Sequence, residues 1–325
     1  MEKRNNEAMT SLTGTVIRTQ NSFYYIVPQL NLDERRFDVT ANPISCKLRG
    51  IFKKSKEVVT IGDRVEYTLL PDGTGVIEKL LPRKSLMKRP LVANIDQAFL
   101  IFAAKDPDPH PLLIDRFLVL AEWSGIERMT LCFNKIDLIH EESLLQIQKK
   151  YQSIGYKVLL ISAVEEKNIS KLRRMLANSI SVFAGPSGVG KSSLGNAIDA
   201  NLGLVTGNLS NKIQRGKHTT RLARLLPINV GGYIVDTPGF SALDLTEIKP
   251  EELADYFPEF QKYVSNCRYR GCLHQHERAI ECGVKMAVES ENIDETRYSS
   301  YLSILRDISE QRERTKKYKG RKGSD

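Results

Sequence analysis

The residues best suited to chemistry in this 325-residue chain are Gly185-Pro186-Ser187-Gly188-Val189-Gly190-Lys191-Ser192, a glycine-rich loop that ends in a lysine and a hydroxyl. An apolar run over 181–184 precedes it and a helical pattern over 193–202 follows, so the glycines turn the chain between a buried strand and a helix. Such a turn aims backbone N–H groups at phosphate oxygens from the positive end of the helix. Lys191 would reach the β and γ phosphates, and the Ser192 hydroxyl would hold Mg²⁺. The loop alone does not separate ATP from GTP.

A second tetrapeptide makes that choice. Asn134-Lys135-Ile136-Asp137 ends the apolar run 129–133, where open α/β sheets place their ligands. The Asp137 carboxylate can accept from N1–H and the exocyclic amine of guanine, an edge that adenine lacks. Asn134 would brace the loop, the Lys135 stem would lie along the base, and Ser162-Ala163 would meet the guanine oxygen through its backbone. Asp236-Thr237-Pro238-Gly239 ends a third apolar run, over 233–235. Asp236 would hold Mg²⁺ through water, and the Gly239 N–H would meet the γ-phosphate. Phe240 follows where many GTPases carry a water-positioning Gln. Hydrolysis therefore needs another group, and His218, beside the switch candidates Thr219 and Thr220, is the nearest imidazole that could polarise a water near neutral pH. The alternative is a surface histidine in a loop. That loop carries Lys212, Arg215, Lys217, Arg221 and Arg224 without an acid, a charge suited to nucleic acid.

The motifs run in an unusual order: base recognition and base support come before the phosphate loop, and the two switches after it. An ordinary GTPase read from its phosphate loop has the first two last. The chain reads as a circularly permuted domain in which switch II is the final nucleotide-binding segment.

A different chemistry follows downstream. Cys267, Cys272, His274 and Cys282 fall within sixteen residues, and three thiols with one imidazole make a closed tetrahedral set suited to structural Zn²⁺. His276 stays open as a replacement for His274. Cys46 and Cys132 sit in strand-like runs and read as core.

These residues need elements to hold them. Over 13–19, 23–27, 45–52, 64–70 and 75–81 the sequence alternates or is β-branched, with turn signals at Ile61-Gly62-Asp63 and Asp72-Gly73. Five strands in so short a stretch predict a small β-barrel, an OB-fold. Pro82 to Pro90 reads as a basic linker. From about residue 95, apolar runs of buried parallel-strand type alternate with helical stretches such as 112–123 and 141–153, the pattern of a doubly wound α/β sheet. After Asp244 the chain turns helical around the cysteines, and 293–318 predicts a long polar helix. The expected division is 1–90 for barrel and linker, 91–245 for the permuted GTPase domain, and 246–325 for a helical zinc-binding domain with a basic tail.

Composition fits this picture and limits the alternatives. The 41% hydrophobic and 27% charged fractions are those of a globular protein, and the length allows two or three cores. The longest apolar run, 98–104, is too short to span a bilayer, the first residues lack a signal pattern, and an odd count of five cysteines argues against a disulfide framework. A cytoplasmic protein without a membrane partner is the expectation, with a monomer as the default. The net charge of +9 is uneven: residues 1–90 carry 16 Lys/Arg against 10 Asp/Glu, and 312–322 carry seven basic residues and one acid. A basic front and tail suit a polyanionic partner, with a solvated charged surface the alternative that charge alone leaves equally open.

The motif order, with a barrel before it and a Cys₃His cluster behind, resembles the small ribosomal subunit-dependent GTPase A (RsgA) family. The likeness runs from Gly14 to about Cys282 and is most specific at 185–193, which adds Ser193 to the loop, at 216–220, at 236–240 and at Cys272-Leu273-His274. It implies a factor in late maturation of the 30S subunit that binds 16S rRNA and hydrolyses GTP to GDP when the subunit stimulates it. Two other readings remain open at this level: a permuted GTPase serving the large subunit, and an rRNA-binding module that uses GTP only to hold its shape.

Overall fold

The computed structural model describes residues 11–29, 37–53, 58–88, 91–204, 223–236 and 245–322. The first five strands are β1 (Leu12–Gln20), β2 (Phe23–Pro28), β3 (Ile44–Leu48), β4 (Arg64–Leu69) and β5 (Gly75–Leu80). They form a closed barrel in the order β1-β2-β3-β5-β4, with β1 paired to both β2 and β4 and with β3 parallel to β5. This is the OB-fold expected from the sequence. A bulge between Val16 and Arg18 bends β1 so that one strand serves two partners. The expected third strand is shorter than its apolar run, because residues 50–53 turn into a short 3-10 helix that drops Phe52 into the barrel core. Cys46 lies in that core, and burial pushes its thiol up to about 11.

Residues 82–88 of the stretch read as a basic linker are folded. Arg83 donates from Nε and Nη2 to the two oxygens of Asp63, at 2.7 and 2.8 Å, and the Asp63 side chain is fully buried. Strands β6 (Leu86–Lys88) and β7 (Leu91–Ala93) then pair as a hairpin. Asn94 closes the junction by donating to the Gly62 carbonyl at 2.9 Å and accepting from Lys84 N–H at 2.8 Å. Barrel and central sheet therefore meet through hydrogen-bonded backbone.

The central sheet adds β8 (Gln97–Ala103), β9 (Arg128–Asn134), β10 (Lys157–Leu160), β11 (Ile180–Ala184), β12 (Arg224–Ile228) and β13 (Gly232–Asp236) in the order β10-β9-β8-β11-β13-β12. All pairs are parallel except the edge pair β12–β13. Alternate residues of β8 face opposite layers. Ala98, Leu100 and Phe102 pack with α1 (Pro111–Trp123) and α2 (Glu141–Ile154), whereas Phe99, Ile101 and Ala103 pack with α3 (Ile169–Leu176) and α4 (Lys191–Ile198). Both faces are covered, which is why these strands read as continuous apolar runs. Cys132 lies inside this core, as the sequence suggested.

Beyond residue 245 come short 3-10 turns, α5 (Gln261–Val264), α6 (Gly283–Glu289) and the long α7 (Glu295–Lys322). Tyr301, Ile304, Leu305 and Ile308 of α7 share one buried cluster with Ile114, Phe117 and Leu118 of α1. The same interface buries charge. Arg297 donates to Asp115 at 2.6 Å and to Glu259 at 2.6 and 3.1 Å, its guanidinium stacks on Phe257 at 4.6 Å, and both Arg297 and Asp115 are 1% exposed. Among the described residues no helix is long and apolar enough to cross a membrane.

Candidate functional site

The C-terminal ends of β9, β10, β11 and β13 converge on one edge of the sheet, and the motif residues follow directly on those strand ends. The phosphate loop turns so tightly that a Cβ on Gly185 (φ +148°) would lie 2.0 Å from the Ile101 carbonyl oxygen. A Cβ on Gly190 (φ +87°) would lie 2.4 Å from Nδ2 of Asn134. Glycine is required at both positions by sterics as well as by φ. Ser187 and Gly188 form the solvent-facing crest, Val189 is buried beneath, and Lys191, Ser192 and Ser193 open α4 half-buried. The Lys191 ammonium donates back to the carbonyls of Gly185 (2.8 Å) and Pro186 (2.5 Å), and burial holds it below the ordinary lysine range.

Asn134 is the junction of the site. It is 2% exposed, its Nδ2 donates to the Val189 carbonyl at 3.0 Å, and its Oδ1 accepts from Ala163 N–H at 3.1 Å. One amide thus ties the end of β9 to the phosphate loop and to the segment after β10. Asp137 is anchored beside it by Ser162, whose hydroxyl donates to Asp137 Oδ1 at 2.5 Å and accepts from Glu165 N–H at 3.0 Å. Lys135 takes a left-handed conformation (φ 62°) and donates to the Asp106 carbonyl, so the loop between β8 and α1 also borders the site. This end of the sheet therefore offers the N–H groups of a glycine-rich loop, a lysine and a carboxylate anchored by Ser162.

Asp236 ends β13, and Arg224 Nε donates to its Oδ2 at 2.9 Å from the neighbouring strand. His218, Thr219, Thr220, Thr237, Pro238, Gly239 and Phe240 lie outside the described residues. Sequence reading did not find the Asp106 carbonyl or the Arg224 contact. The first is a backbone group without a side-chain signature. The second depended on recognising β12, and Pro227 within it disguised a strand that is permitted only because it lies at the sheet edge.

The second cluster is also brought together. One donor atom from each of Cys267, Cys272, His274 and Cys282 lies within 4.8 Å of all the others. His274 Nδ1 is 3.6 Å from Cys267 Sγ and 3.3 Å from Cys272 Sγ and Cys282 Sγ. Zinc–sulfur and zinc–nitrogen bonds of about 2.3 and 2.0 Å place neighbouring tetrahedral ligands roughly 3.5 Å apart, so the set fits the ion. The Lys285 N–H approaches Cys282 Sγ at 3.5 Å, as suits a thiolate. His274 is 1% exposed, whereas His276 faces solvent outside the group. Burial lowers the His274 imidazole and raises the Cys272 and Cys282 thiols, and a bound cation would favour their thiolate forms. From α7, the hydroxyls of Tyr298 and Tyr301 donate to the carbonyls of His274 (2.7 Å) and Leu273 (2.8 Å) and fix the turn that carries the imidazole. None of the five cysteines is in a disulfide.

Comparison with known proteins adds to this geometry. A family model described as RsgA GTPase matches residues 79–246, and one described as RsgA N-terminal domain matches residues 13–77. The protein named "Small ribosomal subunit biogenesis GTPase RsgA" of Caldanaerobacter subterraneus subsp. tengcongensis is 41% identical over 306 residues, covering 94% of this chain and 99% of its own. The protein of the same name from Alkaliphilus metalliredigens is 40% identical, covering 92% and 98%. Among solved structures, YloQ, described as a circularly permuted GTPase, superposes with a TM-score of 0.77 at 33% identity over 95% of this chain and 99% of its own. YjeQ from Thermotoga maritima gives a TM-score of 0.77 at 37% identity over 92% and 99%.

Proposed function

The chain belongs to the RsgA GTPase family, and on that premise we propose that it is a GTP-hydrolysing factor of small ribosomal subunit biogenesis, acting late in 30S maturation on 16S rRNA and stimulated by the subunit. The observation that carries the reading is the Asn134 amide, which joins motifs from either side of the permutation into a single cleft. In that cleft Asp137, held by Ser162, reads guanine, and Lys135 lies along the base. The N–H groups of residues 185–193 and Lys191 cradle the phosphates. Ser192 and Asp236 would hold Mg²⁺, which would offset the charge of the phosphates. Thr219, Thr220 and Gly239 meet the γ-phosphate and its metal, and His218 orients the attacking water. GTP is the substrate with Mg²⁺ as its metal, and GDP is a product.

Cys267, Cys272, His274 and Cys282 hold one structural Zn²⁺, which contributes folding free energy and no chemistry. The barrel, residues 1–90 with its connection, grips rRNA largely through phosphates, and the basic tail of the 246–325 unit adds to that grip. On the exposed barrel surface Arg18 lies over Tyr25 (3.9 Å) and Lys47 over Phe23 (5.0 Å), pairs that present cation and aromatic faces together. The protein works in the cytoplasm as a monomer.

Steady-state GTP hydrolysis with purified 30S, 50S or no ribosome, at two salt concentrations, tests the reading. Selective stimulation by 30S that falls with salt is the expected result. Stimulation by 50S assigns the chain to the large subunit. No stimulation by either leaves an RNA-binding module that uses GTP only to hold its shape, and removes the role of His218. Asp137→Asn is expected to shift preference from GTP to XTP, and an unchanged preference would remove Asp137 from base recognition.

A further inference from the structure

Arg224 and Asp236 face each other across the one antiparallel pair of the central sheet. They are directly paired in register between β12 and β13, and Arg224 Nε donates to Asp236 Oδ2 at 2.9 Å. Asp236 also stands beside the phosphate-loop strand: β13 runs parallel to β11 with Val235 opposite Val182, so the register continues Asp236 alongside Phe183, two residues before Gly185. The pair is open to solvent, with side chains 56% and 35% exposed, so it exchanges partners easily and is not a buried structural tie.

We infer that Arg224 is an internal competitor of Mg²⁺ at Asp236, setting the Mg²⁺ concentration at which the site engages its nucleotide. The inference rests on the reading of Asp236 as the carboxylate that faces the metal. A carboxylate that receives a hydrogen bond from metal-bound water must turn an oxygen to that water. Here a guanidinium holds one oxygen and sets a positive charge beside the carboxylate that would face the ion. Displacing an exposed pair of this kind costs about two- to fivefold in an equilibrium constant. Repulsion of a divalent ion by the guanidinium charge acts in the same direction and is screened by salt. Nucleotide carrying Mg²⁺ overcomes this barrier, whereas metal-free nucleotide leaves the Arg224–Asp236 pair intact and gains nothing from Asp236. Arg224 thus acts as a positioning residue that raises the Mg²⁺ concentration needed to retain the nucleotide.

Dissociation of fluorescent GDP and GTP analogues from the full-length protein, followed across a Mg²⁺ titration, tests this. Arg224→Gln is expected to move the Mg²⁺ midpoint for nucleotide retention down by about two- to fivefold at low salt, with a smaller shift at 1 M salt. Arg224→Lys, which keeps the charge and loses the fork, is expected to move it less, and it carries the test if the Gln variant melts early. A midpoint that stays in place or rises in Arg224→Gln, while Asp236→Asn abolishes the Mg²⁺ dependence, overturns the inference and leaves the pair as a strand tie. Unaltered Mg²⁺ dependence in Asp236→Asn removes the underlying reading of Asp236 and this inference with it.

Discussion

The nucleotide cleft and the cysteine cluster are both convergences of distant residues, but they are held by opposite means. In the cleft the main chain does the positioning: four strand ends fix the segments, two glycines allow the phosphate loop its turn, and Asn134 pins the result with two hydrogen bonds. The cluster has no sheet beneath it. Cys267, Cys272 and His274 sit on turns, Cys282 caps the seven-residue α6, and the ligand atoms meet because their side chains point inward. A cleft of the first kind exists before its ligand arrives. A cluster of the second kind would depend on a bound ion for stability, since three thiols and an imidazole at 3.3–3.6 Å are a poor substitute for a packed apolar core.

Removal of the metal gives the largest expected effect. Cys282→Ser should take zinc from one per chain to none by elemental analysis. The loss is of the order of the ~10–16 kcal/mol by which zinc orders small finger peptides. Amide exchange should then rise sharply over residues 261–292, while GDP affinity stays within about twofold, because the cleft is built by the sheet and not by the cluster. Loss of GDP binding in the same variant would break the contrast, showing that the two regions fold as one unit.

Next in size is the attachment between them. Arg297 is buried with Asp115 of α1 on one side and Glu259 on the other, so Arg297→Ala strands two carboxylates in the interior. The expected cost is about 3–5 kcal/mol in urea unfolding. Burial pushes the Asp115 carboxyl upward, and Arg297 pulls it back down. A cost below about 1 kcal/mol would mean that the apolar contacts of Tyr301, Ile304 and Leu305 with α1 hold the interface by themselves.

Asn134→Ala probes the other end of the comparison. It leaves the Val189 carbonyl and the Ala163 N–H without their partner, worth about 1–3 kcal/mol. Because the bonds tie loops and not the core, the loss should fall on GDP affinity, about five- to a hundredfold, with little change in melting temperature. A fall in melting temperature with intact affinity would reverse the assignment and make Asn134 a structural residue.

The difference between the regions also governs what could be read from sequence. Cleft residues are consecutive along the chain because a strand end delivers them together, so 134–137, 162–163 and 185–192 were legible as motifs, and their strands as apolar runs. The ligand set was legible from residue type, but the choice of His274 over His276 was not, because it depends on a turn with His274 at φ 53° and on two tyrosines of α7 more than twenty residues away. The same limit hid the Arg297 triad: its three members are 38 and 182 residues apart in sequence, and each alone reads as a surface charge. Edge strand β12 was missed because Pro227 is a strand breaker everywhere except at an edge.

The junction at Asn94 carries the smallest expected effect and separates folded from flexible connection between barrel and sheet. Asn94 holds φ 55° and makes two hydrogen bonds across the junction, to Gly62 and from Lys84. Asn94→Gly keeps the backbone conformation and loses the bonds, so it should cost about 1 kcal/mol. Asn94→Ala loses the bonds and also carries a Cβ into the left-handed region, and should cost about 1 kcal/mol more. The difference between the two variants in urea unfolding isolates the backbone contribution. If both lie within error of the parent, the hairpin β6–β7 and the Arg83–Asp63 pair hold the barrel in place unaided, and residues 82–94 have more rigidity than a single amide supplies.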